Sequence, residues 1–301
     1  MDIKQLKYFV TVVDMKSFSR AAEHLFISQS ALSKVIGNLE REYGVQLLYF
    51  LGRQMHLTSY GMQLYAMAQN LIRQYDAINE VMQGAFPQEK GVIRIGFSYI
   101  LGPSVFPGLA ASFLEKYPGI EFVIEQRSGL QDIQNMVHTQ QLDVGFVVMP
   151  VLADAFEIVP IRKSQFVFVT SIKNPLAQRK SVRFADLKDE QFIMFPQDFR
   201  ICQEFLAGCR MAKFEPRIMT HLTHWDLIFK LVKLNMGSSF LVQTLLDAFP
   251  DDELVSIPVV DALSEWDAVM ITAKNRYEPN SLKMFKEHVR EKVETGYSWE
   301  P

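Results

Sequence analysis

Beyond Ser28, the side chains Gln29, Ser30, Ser33, Lys34 and Asn38 recur at intervals that place them on one face of a helix. They offer amides, hydroxyls and one cation, with no acid before Glu40. Such groups suit hydrogen bonding to the edges of bases, with the cation free for guanine or phosphate. They equally suit an ordinary solvated helix face, and the face alone does not separate the two readings. A second polar set stands where apolar runs end: Ser98 and Tyr99, then Gln126, Arg127 and Ser128, then Met149, then Phe195 and Gln197, then Thr220, Thr223 and His224. Side chains at the carboxyl ends of neighbouring strands converge on a cleft, which is chemistry for a small polar ligand. Arg127 and Arg200 suit a carboxylate. Ser104 is expected to cap a helix whose N-terminus favours an anion, so the ligand class includes organic anions. Each residue also has a mundane reading, as a loop or cap serine or a solvated arginine.

Two further groups have chemistry to weigh. His221, His224 and Asp226 are close in sequence, but His221 falls on an expected strand and His224 at a helix start, and nothing nearby completes a metal set. The only cysteines, Cys202 and Cys209, stand seven apart on one expected helix. That spacing separates them by about 10 Å, too far for a disulfide. Core packing is the expected role, with redox sensing as the alternative. No HExxH, GxSxG or phosphate-loop pattern occurs, so neither an enzyme nor a cofactor is expected.

The elements that must position the first face are legible. Leu6, Phe9, Val10 and Val13 recur as one helix, and Phe18, Ala21, Ala22 and Leu25 as a second. After a very short turn, Ser28 is a good N-cap for a third helix that buries Ala31, Leu32, Val35, Ile36 and Leu39 and ends at Gly44. Two short helices joined so tightly cross steeply, as in a helix-turn-helix. Short strands at 47–50 and 55–57 around Gly52-Arg53-Gln54 form a wing, with Arg53 at its tip for phosphate or minor groove.

Here the chain resembles a known family. The run SFSRAAEHLFISQSALSKVIGNLEREYGVQLL, followed by GRQMHLTSYG, looks like the N-terminal signature of the LysR-type transcriptional regulators, without gaps from residue 6 to 61. The resemblance implies that Gln29, Ser30, Ser33 and Lys34 contact bases and phosphates, that Ser17, Ser19 and Arg20 contact the DNA backbone, and that Arg53 is the wing arginine. There are departures. Ser30 stands where the family often has Pro, Lys34 where it has Arg, Phe50 where it has Arg, and Leu48 where it has Phe. Lysine lacks the planar two-pronged contact of arginine.

Thr58 is a plausible N-cap for a longer helix. Gly61, Leu64, Ala68, Leu71, Tyr75, Ile78 and Met82 then alternate three and four apart, a seam seeking a partner helix along about 35 Å. Packing on its own chain is one reading and a dimer the preferred one, since two-fold DNA sites are read by two-fold proteins. The resemblance implies a dimerisation helix, a homodimer that assembles into a tetramer bending its DNA, and RNA polymerase as a further partner. Residues 83–91 read as a hinge.

From Gly91 the texture becomes α/β. Strands are predicted at 92–97, 121–125, 144–148, 166–170, 192–195, 217–222, 239–242, 254–257 and 268–272, and helices at 104–116, 131–140, 200–211, 224–234 and 280–294. Such alternation predicts parallel sheets covered by helices. The strands are too many for one compact sheet. Two Rossmann-like lobes with crossovers near Lys163 and Trp266 resemble the family's effector domain, itself similar to periplasmic binding proteins. The expected division is 1–58 for the winged helix-turn-helix, 59–90 for linker helix and hinge, and 91–301 for an effector domain, with lobe I at 91–162 and 267–301 and lobe II at 163–266.

Composition excludes little. A net charge of −3 over 301 residues does not announce a nucleic-acid binder. Residues 1–60 hold seven Lys/Arg against five Asp/Glu, a slight excess of +2. No apolar run spans a bilayer, and no basic segment precedes an apolar leader, so the expected location is the cytoplasm. A freestanding solute-binding protein is the rival that the N-terminal helices argue against.

Overall fold

A computed structural model describes residues 1–52, 54–82, 91–274 and 276–296, in two compact units, one N-terminal and one C-terminal.

The N-terminal unit opens with helices α1 (Ile3–Met15), α2 (Phe18–His24) and α3 (Gln29–Tyr43). Each begins at a side-chain cap: Asp2 accepts from the Gln5 amide, Ser17 from Arg20 and Ser28 from Ala31. Gly44 closes α3 with φ +66°, a left-handed conformation that costs glycine nothing. Phe9, Val12, Ala21, Leu32, Ile36 and Leu39 form the core between the three helices. Burying each large side chain contributes about 1.5–3 kcal/mol. Two of the residues expected inside are not there: Ala31 is exposed and Val35 half-buried, because the buried stripe of α3 is only as wide as α1 and α2 can cover. Strands β1 (Leu48–Leu51) and β2 (Gln54–Leu57) then pair antiparallel, with Leu51 opposite Gln54. The Glu40 carboxylate ties this hairpin to α3 by accepting the Leu47 and Leu48 amides at 2.8 and 3.2 Å. Helix α4 (Ser59–Met82) follows, its Gly61 amide donating to Thr58 Oγ1 at 3.0 Å.

The C-terminal unit holds two sheets' worth of strands. The first sheet has five: β3 (Gly91–Ser98), β4 (Ile120–Arg127), β5 (Val144–Val148), β6 (Phe156–Ser164) and β12 (Trp266–Ala273), in the order β4-β3-β5-β12-β6. Helices α5 (Leu101–Lys116) and α10 (Asn280–Glu294) share a core with one face, and α6 (Leu130–His138) packs on the other. The second region contains β7 (Phe166–Ser171), β10 (Ser239–Val242) and β11 (Leu254–Pro258) in the order β10-β7-β11, and a pair β8 (Gln191–Met194) with β9 (Arg217–His221). Ser238 joins the two by exchanging backbone hydrogen bonds with Gln191 and Ile193. Helices α7 (Arg200–Met211), α8 (Trp225–Lys233) and α9 (Gln243–Ala248) complete it.

The expectation of parallel sheets needs correction. Strands β3, β4 and β5 run parallel, as do β8 and β9, but β12 is antiparallel to β5 and β6, and β7 is antiparallel to β10 and β11. The chain crosses from the first sheet through β6 straight into β7, and β12 returns in the opposite direction. Strand β6 was not expected at all. Its Pro160 and charged residues mask the pattern, and Pro160 is tolerated beside an irregularity in the register of this edge strand.

Candidate functional site

The outer face of α3 is built from its cap outward. Gln29, Ser30, Ser33, Lys34 and Asn38 are all exposed, while Leu32, Ile36 and Leu39 anchor the opposite face. The Ser19 hydroxyl donates to Gln29 Oε1 at 2.9 Å, which joins α2 to the first turn of α3. Ser30 Oγ lies 3.1 Å from Ser28 Oγ. Ser17 is spent as the cap of α2, accepting the Arg20 amide at 3.4 Å, and the Arg20 guanidinium donates to the Met15 carbonyl at 2.5 Å. Arg41 donates to Asn38 Oδ1 and adds a second cation to the face. Its spacing of three from Asn38 is the signal that places it there. Arg53 lies outside the described residues. Beside it, Phe50 and Leu51 of the wing are exposed.

A second site lies in the C-terminal unit, lined by the loops after β4 and β5, by α6 and α7, and by the crossover between β11 and β12. An open cavity of about 690 Å³ there is lined by Gly129, Gln131, Gln134, Pro150, Asp198, Arg200, Gln203, Glu204, Ala207, Arg210 and Ser264. The Arg200 guanidinium donates to the Met149 carbonyl and, at 3.2 Å, to Ser264 Oγ. Glu204 grips the crossover, accepting the Leu263 and Ser264 amides at 2.7 and 2.9 Å and the Ser264 hydroxyl at 2.8 Å.

Sequence comparison resolves what the two sites belong to. Residues 3–62 match the family described as bacterial regulatory helix-turn-helix protein, lysR family, and residues 87–294 match the LysR substrate binding domain. The chain belongs to the LysR family. It is 33% identical to the uncharacterized HTH-type transcriptional regulator YwbI of Bacillus subtilis over 301 residues, covering 100% of this chain and 98% of that one. Among solved structures, a full-length OxyR variant from Pseudomonas aeruginosa shares the fold at a TM-score of 0.77 and 20% identity, covering 96% of this chain and 98% of that one. CbnR in complex with its target DNA shares it at 0.69 and 21%, covering 97% and 99%. The chain is therefore a LysR-type DNA-binding transcriptional regulator with an effector-binding domain.

Within this LysR-type frame, the residues expected at the strand ends separate into groups. Ser98 is buried, and its Oγ accepts the Leu101 amide at 3.2 Å. It thereby satisfies the first amide of α5, whereas Ser104, expected as the cap, lies inside that helix and donates to the Leu101 carbonyl at 3.1 Å. Tyr99 packs against Phe199 and His224, with ring centres 6.3 and 6.4 Å away, and Phe199 stacks on Phe195 at 5.0 Å. Tyr99, Phe195 and His224 thus meet in one aromatic cluster. Gln126 and Arg127 sit exposed on the edge strand β4, where Arg127 pairs with Glu125 at 2.9 Å. Ser128 follows in the loop. The Gln197 carbonyl accepts from Gln203 at 3.2 Å. Thr220 is half-buried on β9, and Thr223 is half-buried before α8. Gln134, Arg200, Glu204 and Ser264 were the cavity residues that strand-end reasoning passed over or left out of its ligand set, because their helices and crossover come close only in the folded lobes.

The LysR-type chain's remaining candidates are accounted for locally. His221 donates from Nδ1 to the Phe195 carbonyl at 2.8 Å, and Asp226 pairs with Lys230 at 3.6 Å. Cys202 and Cys209 are fully buried on α7. Burial pushes their thiols up to about 11 and about 12, so neither supplies thiolate near neutral pH. On α4, the expected seam divides. Ala68 is buried, and Leu64 is half-buried against the core of the N-terminal helices. Leu71, Tyr75 and Ile78 are exposed, joined by Tyr60 and Met67, which the seam had omitted. Met82 ends the helix.

Proposed function

We propose that this regulator reads a specific operator through Gln29, Ser30, Ser33, Lys34 and Asn38, with Ser17, Ser19, Arg20 and Arg53 holding the DNA backbone. The observation that carries this reading is the exposed face of α3, free of acidic side chains among those five residues and fixed by caps and a core on its other side. Leu71, Tyr75 and Ile78 of α4 pair two copies, and a tetramer built from such dimers engages two sites. Residues 1–58, 59–90 and 91–301 act as reader, linker and sensor, the sensor's lobes being 91–162 with 267–301, and 163–266. A small-molecule effector, an organic anion by class, lodges between the lobes and changes how the reading heads are spaced. It shifts that equilibrium only by its differential affinity for the two arrangements. Promoter DNA places the protein in the cytoplasm, where RNA polymerase is a further partner.

Lys34→Ala tests the placement. Retardation of promoter duplexes from the protein's own genome, measured at several salt concentrations, is expected to weaken, and the slope of log affinity against log salt to fall by about one. An unchanged slope contradicts a phosphate or base contact by Lys34.

A further inference from the structure

Arg200 is a charged group held by neutral partners. It is half-buried, and its described hydrogen bonds go to the Met149 carbonyl and the Ser264 hydroxyl, not to a carboxylate. Burial lowers its proton affinity, while Glu204 and Asp267 oppose that effect through space. Glu204 itself accepts three hydrogen bonds from Leu263 and Ser264. Gln134, only 5% exposed, lines the same cavity, and its amide reaches the Pro150 carbonyl at 3.5 Å, the outer limit of a hydrogen bond. A buried amide so weakly engaged, in the same cavity as a guanidinium with no described hydrogen bond to a carboxylate, is a receptor with unused capacity. Arg127, the other arginine suited to an anion, is paired and exposed at a sheet edge.

We propose that Arg200 is the receptor for a small polar carboxylate in the cavity between α6 and α7, and that the ligand acts by drawing Arg200 away from Met149 and Ser264. The inference rests on the reading of the cleft as the effector site and gives that effector its chemistry. A carboxylate accepts two charge-assisted hydrogen bonds from one guanidinium, which a carbonyl and a hydroxyl on separate segments match less well. The amides of Gln131, Gln134 and Gln203 suit a body rich in donors and acceptors over an aromatic one. Met149 follows the first sheet's β5, Arg200 begins α7, and Ser264 lies in the crossover between β11 and β12, so the exchange loosens a tie between the lobes.

The test uses the full chain and calorimetry with succinate, L-glutamate and lactate at constant ionic strength, with succinamide as the neutral control. At least one carboxylate is expected to bind and succinamide not to. Arg200→Gln is expected to weaken binding at least about tenfold, the loss of a hydrogen bond to a charged group. Ser264→Ala is expected to tighten it several-fold, because Ser264 competes for the same guanidinium. A purely structural Arg200 gives no such gain, so Ser264→Ala decides the matter even if Arg200→Gln unfolds. No binding by any of the three acids, equal binding by Arg200→Gln, or no tightening in Ser264→Ala overturns the proposal. Succinamide binding that survives Arg200→Gln leaves the cleft as an effector site while removing the carboxylate receptor. Operator retardation by the same preparations shows separately whether the DNA-reading assignment stands.

Discussion

Gln29 shows how one side chain divides its two ends. Its Oε1 accepts from the Ser19 hydroxyl, and no described hydrogen bond engages its amino group. An exposed amide donor suits an acceptor on a base edge, such as a purine N7 or guanine O6. Gln29→Ala is therefore expected to cost about 1–3 kcal/mol of discrimination at one base position while leaving the salt slope nearly unchanged. Competition assays with duplexes altered at each position check this, and a uniform loss at every position contradicts it. This face was legible in the sequence because helical spacing and residue type suffice to define it. The local setting of Ser98 was less legible. Its hydroxyl accepts the Leu101 amide, because α5 begins earlier than the Gly102-Pro103 pair suggested. Proline is tolerated in a first turn, where the amides lack helical partners anyway.

At the scale of elements, periodicity located α4 but not which of its residues face outward. Gly61 shows why part of the stripe is internal: a Cβ there would lie 2.1 Å from the Leu47 carbonyl oxygen, so the helix runs hard against its own wing junction. Further along, Lys7 pairs with Asp76 at 2.8 Å and lies over the Tyr75 ring, which fixes α1 alongside α4. Tyr60, Met67, Leu71 and Ile78 are among the residues of α4 left exposed, and their spacing fits one seam. Replacing Leu71 and Ile78 together by Asp is expected to shift the protein toward monomer in sedimentation, with the fold of each unit intact by circular dichroism. An unchanged assembly state excludes this seam as the pairing surface. Strand β6 was illegible by pattern because an edge strand with Pro160 satisfies neither alternation nor a continuous apolar run.

In the molecule as a whole, the family resemblance was carried by sixty residues, and the sensing half was legible as an alternation of strands and helices. Its antiparallel returns were not, since strand direction follows from which crossover the chain takes and not from local pattern. The cavity around Arg200 was equally hidden, because α6, α7 and the crossover are far apart in sequence. Two copies of α3 are expected to read bases in register on one duplex. Selection of bound duplexes from a randomised pool by the full chain tests it most directly. The expected outcome is enrichment of two related half-sites in inverted orientation, with centres about one helical turn or a multiple of it apart. A pool that stays random, or a single half-site with no symmetry mate, contradicts the claim.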